Sequence, residues 1–481
     1  MSLTVNPDPF DCAQGHGEED RTLSKPRPVG GVSNGLTLAS AKGYFHRKGD
    51  NMALDKDVAK KVLAEIDKDE LAQLGCDLVN IPSPTGQEKA VAEFILDWFK
   101  ANGLKAVRQE VEVDRPNAVG ILKGDGTGLS LGFNGHMDTS FTGTKEDLRM
   151  VAQVEPEAEL RGSIGDGKVR GLGISNMKGG VAAFMMAGKA LKRSGVKLKG
   201  DVVFGAVVGE ISRTPIGPWQ TKEYRGEGAG TRHLLTHGMH TDYAVVADGS
   251  DLNIVWTQTG VVQIKITTFG KAEAAWGTKR STHPMEKLNA IVKMTRIIQA
   301  VEKWAEGFEE KYIYNSPTGS VFPKVNIGAV EGGAPYRPNY FPGVCAIYVD
   351  IRTPPQVRPV LVQHEVEKTL AALGVEYEME IYKSLLGHEG KNVEPLVQSA
   401  EEVHQFLFGE KLRPEAPERA SIWTDTNCYN ELGIPAIKIG PRGKRIGPRN
   451  EEIKIDDMVK AAQIYALVAL DICSRERAAT G

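Results

Sequence analysis

The segment LSLGFNGHMDTS, residues 129–140, is a short apolar run that ends abruptly in a polar cluster. A run of this length flanked by glycine reads as a buried strand rather than a helix. His136 and Asp138 lie two residues apart at its end, so in an extended backbone their side chains share a face. Upstream, KAVAEFILDWFKANG (89–103) carries a helical period. Downstream, the helical stretch GGVAAFMMAGKALKRSG (179–195) is followed by the strand DVVFGAVVGE (201–210), the helix GTRHLLTHG (230–238) and the strand DYAVVAD (242–248). Helices and strands alternating in this way build a layered α/β sheet. In such sheets polar site residues gather where strands end, and GHMD, the GE at 209–210 and the AD at 247–248 all fall there.

Between residues 257 and 385 the pattern changes. VVQIKITTFG (261–270) and CAIYVDIRT (345–353) alternate apolar and polar residues around two helical stretches, 284–306 and 357–373, the pattern of a small inserted α+β domain. After it, EPLVQSAEEVHQFLFG (394–409), IPAIKIG (434–440) and IDDMVKAAQIYALVALDIC (455–473) return to helix, strand and helix and complete the first sheet. The expected organisation is an extension over 1–51, a catalytic domain over 52–256, a lid over 257–385 and the rest of the catalytic domain over 386–481. Residues 1–51 are rich in Gly, Pro, Ser and charge without a sustained period, so poor order and no catalytic role are expected there.

The totals exclude several classes. A chain of 481 residues, 41% apolar and 25% charged, suits one large or two medium globular domains. With 59 Lys and Arg against 62 Asp and Glu the net charge is −3, and no basic stripe marks a nucleic-acid surface. Apolar runs such as VVFGAVVG are far shorter than the roughly 18 to 20 residues that span a bilayer. The acidic, proline-punctuated start lacks the basic and apolar regions of a signal peptide, so a cytoplasmic protein with neither membrane nor nucleic-acid partner is expected. Five scattered cysteines show neither disulfide nor metal-site spacing and are expected to be small buried hydrophobes. The neutral imidazole of His136 suits a divalent metal, and a carboxylate beside it would fix its tautomer and raise its basicity.

Eight stretches carry a resemblance: GHMDTS (135–140), GLGISNMKGG (171–180), VVGE (207–210), DYAVVADGSDLNIV (242–255), GKAEAAWG (270–277), NYFPGVCAIYVDIR (339–352), TDTNCYNELGIPAIKIG (424–440) and NEEIKIDDM (450–458). In order and approximate spacing they resemble the zinc metallopeptidase superfamily that contains acetylornithine deacetylase, succinyl-diaminopimelate desuccinylase, aminoacylase and glutamate carboxypeptidase. The resemblance implies an α/β fold, a zinc-peptidase-like catalytic domain with an inserted α+β lid, and a homodimer or higher homo-oligomer formed through that lid. It also implies two metals bridged by an aspartate, with a glutamate as general base.

Carried onto this chain, the first metal's ligands are His136, the bridging position Asn176 and Asp248, with Asp138 behind the histidine and Glu210 as the base. The second metal's ligands fall on Asn176, Ile211 and Gly447, none of which keeps a charged or imidazole donor. The lid histidine that stabilises the oxyanion across the dimer corresponds to Ala274. Substrate contacts are expected from Asn339 and Arg352 in the lid, Arg suiting a bidentate carboxylate contact, from His388 in a loop beside it, and from Thr424 on the pocket floor, with Trp423 facing an aromatic or apolar substrate.

The resulting expectation is a hydrolase cleaving a C–N bond of a small carboxylate-bearing substrate through one divalent ion per subunit, zinc or manganese, a single metal-bound water and the Glu210 base. The bond is an amide or an activated aryl amine, the latter being the chemistry of nitroanthranilate aminohydrolase. The alternatives are a conventional dinuclear amidohydrolase whose second site is rebuilt from displaced residues, and a catalytically inactive scaffold.

Overall fold

The computed structural model describes residues 55–151, 161–211, 226–446 and 450–477; the extension read over 1–51 and position 447 lie outside them. Helices α1 (Lys68–Val79) and α2 (Lys89–Ala101) lead into strands β1 (Lys105–Glu112), β2 (Arg115–Leu122) and β3 (Leu131–His136). Helix α3 (Gly179–Ser194), β4 (Val202–Val207), α4 (Ala229–Thr236) and β5 (Tyr243–Val246) follow. The lid contains β6 (Gly260–Phe269), α5 (Ala290–Lys311), β7 (Lys324–Gly332), β8 (Val344–Thr353), α6 (Pro359–Ala371) and β9 (Tyr377–Leu385). The chain then adds α7 (Glu394–Phe408), α8 (Thr426–Glu431), β10 (Ala436–Lys438) and α9 (Ile455–Ile472).

The catalytic sheet has the order β1-β2-β4-β3-β5-β10. Strands β1, β2 and β4 pair antiparallel, whereas β4, β3, β5 and β10 run parallel. Parallel strands need cover on both faces, and every residue of β3 and β4 is buried. Phe133 and Phe204, paired across β3 and β4, stack with ring centroids 5.5 Å apart, and Tyr465 of α9 closes on Phe133 at 5.2 Å. Helix α2 buries Val91, Ala92, Ile95, Leu96 and Phe99, one helical face. Cys76, Cys345, Cys428 and Cys473 are buried and unpaired. Among the described residues no helix is long and apolar enough to cross a membrane.

The lid is an antiparallel sheet of order β7-β8-β6-β9. Val262, Ile264 and Ile266 of β6 and Ile347, Val349 and Ile351 of β8 pack with Met294, Ile297 and Val301 of α5 and Val362 and Val366 of α6. The alternate residues of the strands face away from this core. The helical stretch read over 284–306 is interrupted, because Asn289 takes an extended conformation and its side chain accepts from the Val292 N–H at 3.1 Å. Asparagine favours this capping role over a helix interior, so α5 starts there.

One glycine sets the distance between layers. A Cβ on Gly180, in the first turn of α3, would collide with the carbonyl oxygen of Ala247, the residue just before Asp248. Gly180→Ala should therefore destabilise the protein by about 1–3 kcal/mol, the usual range for overpacking. Gly307→Ala, in a part of α5 where a Cβ meets nothing within 4 Å, should be neutral or stabilising by up to about 1 kcal/mol through helix propensity. Thermal unfolding of the two variants checks the contrast, and equal melting temperatures would refute it.

Candidate active site and metal centre

The parallel register places the C-terminal ends of β4, β3 and β5 side by side, with His136 opposite Val207 and Asn134 opposite Val246. Glu210, His136 and Asp248 thereby gather at one edge of the sheet. The His136 Nδ1–H donates to the Asp138 carbonyl at 3.0 Å, and the Asp138 carboxylate lies 3.4 Å from the same nitrogen. The other ring nitrogen, Nε2, faces Asn176 Oδ1 at 3.0 Å and Glu210 Oε2 at 3.7 Å. A proton on Nε2, or a cation shared with the amide oxygen, satisfies that contact.

Asp138 is fully buried and accepts from Thr85 Oγ1 at 2.9 Å, from the Glu210 N–H at 3.2 Å and from the Ile211 N–H at 3.0 Å. Asn176 is held from the other side: the N–H groups of Ser175 and Asn176 donate to Glu451 at 2.9 and 3.3 Å. The peptide between Asn176 and Met177 is cis. Beneath this turn the Lys178 ammonium donates to the carbonyls of Leu78 and Ile81, both at 2.8 Å.

The electrostatics follow from crowding acids in a dry place. Burial pushes the Glu210 carboxyl up to about 8, with Asp425, Asp248 and Asp138 adding to the rise and His136 opposing it. Burial also lifts Asp425 to about 6, against the Thr231 hydroxyl that donates to it. Burial alone would lower the His136 imidazole, but Glu210, Asp138 and Asp248 hold it above its ordinary value. Burial lowers Lys178 to about 7, opposed by Glu451.

A cavity of about 840 Å³ opens between these strand ends and the lid, walled by Asn176, Glu210, Asp248 and Ile211 on one side and by Arg352 and Lys383 of the lid on the other. Val261, Leu385, Ile422 and Trp423 give it an apolar flank. Arg352 Nε donates to Asp350 at 2.7 Å. The structure therefore brings together His136, Asp138, Asn176, Glu210, Asp248 and Arg352.

Three substrate contacts expected from the sequence are not on the cavity wall. Thr424 is buried and its hydroxyl donates inward to Gln258 and Thr426. His388 is half-buried, paired with Gln258 in a two-residue ladder, and its N–H donates to Asn427. Asn339 sits exposed in a lid loop, where its carbonyl accepts from the Ala275 N–H. Asp425, expected beside Thr424 on the pocket floor, is likewise buried and off the cavity wall, and accepts from the Thr231 hydroxyl at 2.8 Å. Sequence reasoning missed Glu451, Lys383 and Glu227. The first lies inside a stretch that carried the resemblance, whereas nothing local marks the other two.

The sequence profile described as peptidase family M20/M25/M40 matches residues 132–471. The chain belongs to this family. An N-formyl-4-amino-5-aminomethyl-2-methylpyrimidine deformylase of Halalkalibacterium halodurans is 26% identical over 88% of this chain and 99% of its own. A [LysW]-lysine hydrolase of Deinococcus radiodurans is 24% identical over 78% and 89%. Human carnosine dipeptidase 1 superposes with a TM-score of 0.65 at 15% identity, over 86% of this chain and 99% of that one, a likeness of fold. This M20 chain is thus a member of a hydrolase family that acts on C–N bonds, with the family's two-domain α/β architecture.

The metal donors at this wall of the M20 chain are few. Among the described residues no three His, Cys, Asp or Glu side chains gather closely enough to hold an ion by themselves. His136 Nε2 and Asn176 Oδ1 converge, with Asp248 on the same wall, and Nδ1 is engaged by Asp138 as a metal-bound imidazole requires. Ile211, on the same wall, offers no donor. Metal analysis of purified protein should return one divalent ion per chain. Asn176→Asp alone should not raise that number, because Ile211 and Gly447 still supply no donor; two ions in either protein would overturn the assignment.

Proposed function

We propose that the protein hydrolyses a C–N bond, amide or activated aryl amine, in a small carboxylate-bearing substrate bound between the catalytic domain and the lid. The observation that carries this reading is the meeting of Glu210 and Asn176 at one wall of the cavity, with the buried His136 imidazole against both from behind and Arg352 on the facing lid wall. His136, Asp248 and the Asn176 amide oxygen would hold one zinc or manganese ion. Such an ion, when bound, supplies a Lewis acid that polarises the scissile group and acidifies water.

The chain's own residues supply the rest. The Glu210 carboxylate accepts a proton from the attacking water and returns it to the leaving nitrogen. Its backbone N–H is anchored on Asp138, which fixes where that carboxylate can reach. The Arg352 guanidinium engages the substrate carboxylate, and Trp423, Val261 and Leu385 exclude water from the apolar part of the substrate. With Ala274 in place of a donor from the lid, charge that develops during the reaction is carried by the substrate itself, which favours an electron-poor acyl or aryl group.

Glu210→Gln should lower turnover by about 10²–10⁴, the usual contribution of a general base, while leaving metal content and substrate affinity in place. A panel of N-acyl amino acids, N-formyl amines and aminobenzoates provides the assay. Glu210 must be ionised to accept a proton, so the rate should fall as pH drops through its pKa. That pKa lies at about 8 in the chain alone and lower once a cation sits beside it. Near-normal turnover by the Gln variant would require another base.

Two copies are proposed to associate through the lid, where the outer strand β7 is largely exposed and Trp276 and Tyr336 stand in solvent. Apolar side chains exposed beside an open sheet edge favour pairing. Light scattering should find a dimer that Trp276→Glu weakens, and a monomeric native protein would refute it.

A further inference from the structure

Lys383 owes its place on the cavity wall to a break in strand register. Along β9, Ile381 pairs with Ile264 of β6, but it is Lys383, not Tyr382, that pairs with the next residue, Gln263. Tyr382 is thus the extra residue of a β-bulge, a device that re-aims the side chains beyond it and recurs beside active sites. Ile264 belongs to the lid core, and Gln263 to the opposite face. Without the bulge, Tyr382 would take the position beside Gln263 and the lysine would turn toward the core. With it, Lys383 joins the row formed by Gln263 and Asp350, whose side chains are bonded at 2.8 Å.

The lysine then reaches out of its own domain. Its side chain is 4% exposed and its Nζ lies 2.7 Å from Glu227 Oε1, on the catalytic domain. Glu227 adopts φ of +65°, a left-handed conformation unusual for a residue with a side chain. Its N–H donates to the Glu210 carbonyl at 3.1 Å, and the Gly228 N–H donates to the Gly209 carbonyl at 2.9 Å. The backbone partner of Lys383's counter-ion is therefore the segment that carries Glu210.

We propose that Lys383 is a positioning residue for Glu210: through Glu227 it ties the lid to the backbone of that glutamate, so that cavity wall and base keep one register. The proposal rests on the reading of Glu210 as the base. The lysine end of the pair is almost wholly buried, whereas the glutamate is 20% exposed at the cavity, so removing the carboxylate leaves the lysine charge in a poorly solvated position. Losing the pair should release the Glu227–Gly228 segment and leave Glu210 less well aimed, a loss of turnover rather than of substrate affinity.

Hydrogen exchange on the full-length protein tests this without a substrate. In Lys383→Met and in Glu227→Gln the amides of residues 227 and 228 should exchange about tenfold faster, and the double variant no faster than either, because the two changes remove one shared interaction. Lys383→Arg should keep native protection. On any substrate the native enzyme turns over, Lys383→Met should lower kcat about tenfold with KM changed less than about twofold. Native exchange at 227 and 228 in Lys383→Met, additive effects in the double variant, or deprotection spread across the six-stranded sheet would each overturn the proposal. Because exchange needs no turnover, its outcome stands apart from whether hydrolysis is found.

Discussion

The carboxylate of Asp138 has no exposure to solvent, and it accepts from the Thr85 hydroxyl and from the backbone N–H groups of Glu210 and Ile211 while lying against the ring of His136. These bonds hold it below its ordinary pKa despite burial, which alone would raise it, with the largest opposing effect coming from His136. Much of the site's geometry hangs on this one group. It orients the imidazole and fixes the turn after β4, so the loops beyond two neighbouring strands are locked to each other. Replacing it with alanine would leave two N–H groups without an acceptor in a buried position, a penalty of about 1–3 kcal/mol for each.

Around that anchor the site carries more negative charge than it can hold alone. Burial, with mutual repulsion added, lifts Glu210 to about 8 and Asp425 to about 6. Asn176 and Ile211 add no further negative charge to the site, in keeping with the single ion proposed above. The arrangement is coherent: fewer anionic ligands accompany a smaller cationic requirement, and His136, Asp138, Glu210 and Asp248 remain in a common setting.

How far the sequence reveals this depends on the range of each interaction. Strand ends and the residues on them are local features: apolar runs that stop at GHMD, GE and AD already mark His136, Glu210 and Asp248, because parallel strands point one end toward the cavity. The lid shows itself through its alternation. Thr424 and His388 are placed by neighbours distant in sequence, Gln258 taking the threonine hydroxyl and Asn427 the histidine backbone N–H. Lys383 is hidden for a different reason. A period of two predicts which face a side chain takes only while the register is unbroken, and the bulge at Tyr382 shifts it without any glycine or proline to announce the change. Asn289, by contrast, carries its capping chemistry in its identity, and the interruption before α5 is readable in hindsight.

The parallel pairing of β5 with β10 joins Ala244 to Ala436, with the whole lid between them in the chain. During synthesis, β5 therefore leaves the ribosome with one edge bare and stays so until the lid has been made and α8 has followed. Helix α9, which supplies Tyr465 against the stacked Phe133 and Phe204, comes later still. The amino-terminal half can reach a collapsed sheet but not a covered one, and closure over so long a loop is slow. An inserted lid thus has a price outside catalysis: the nascent chain passes through a stage with an unprotected strand, at which chaperones and misassembly compete for it.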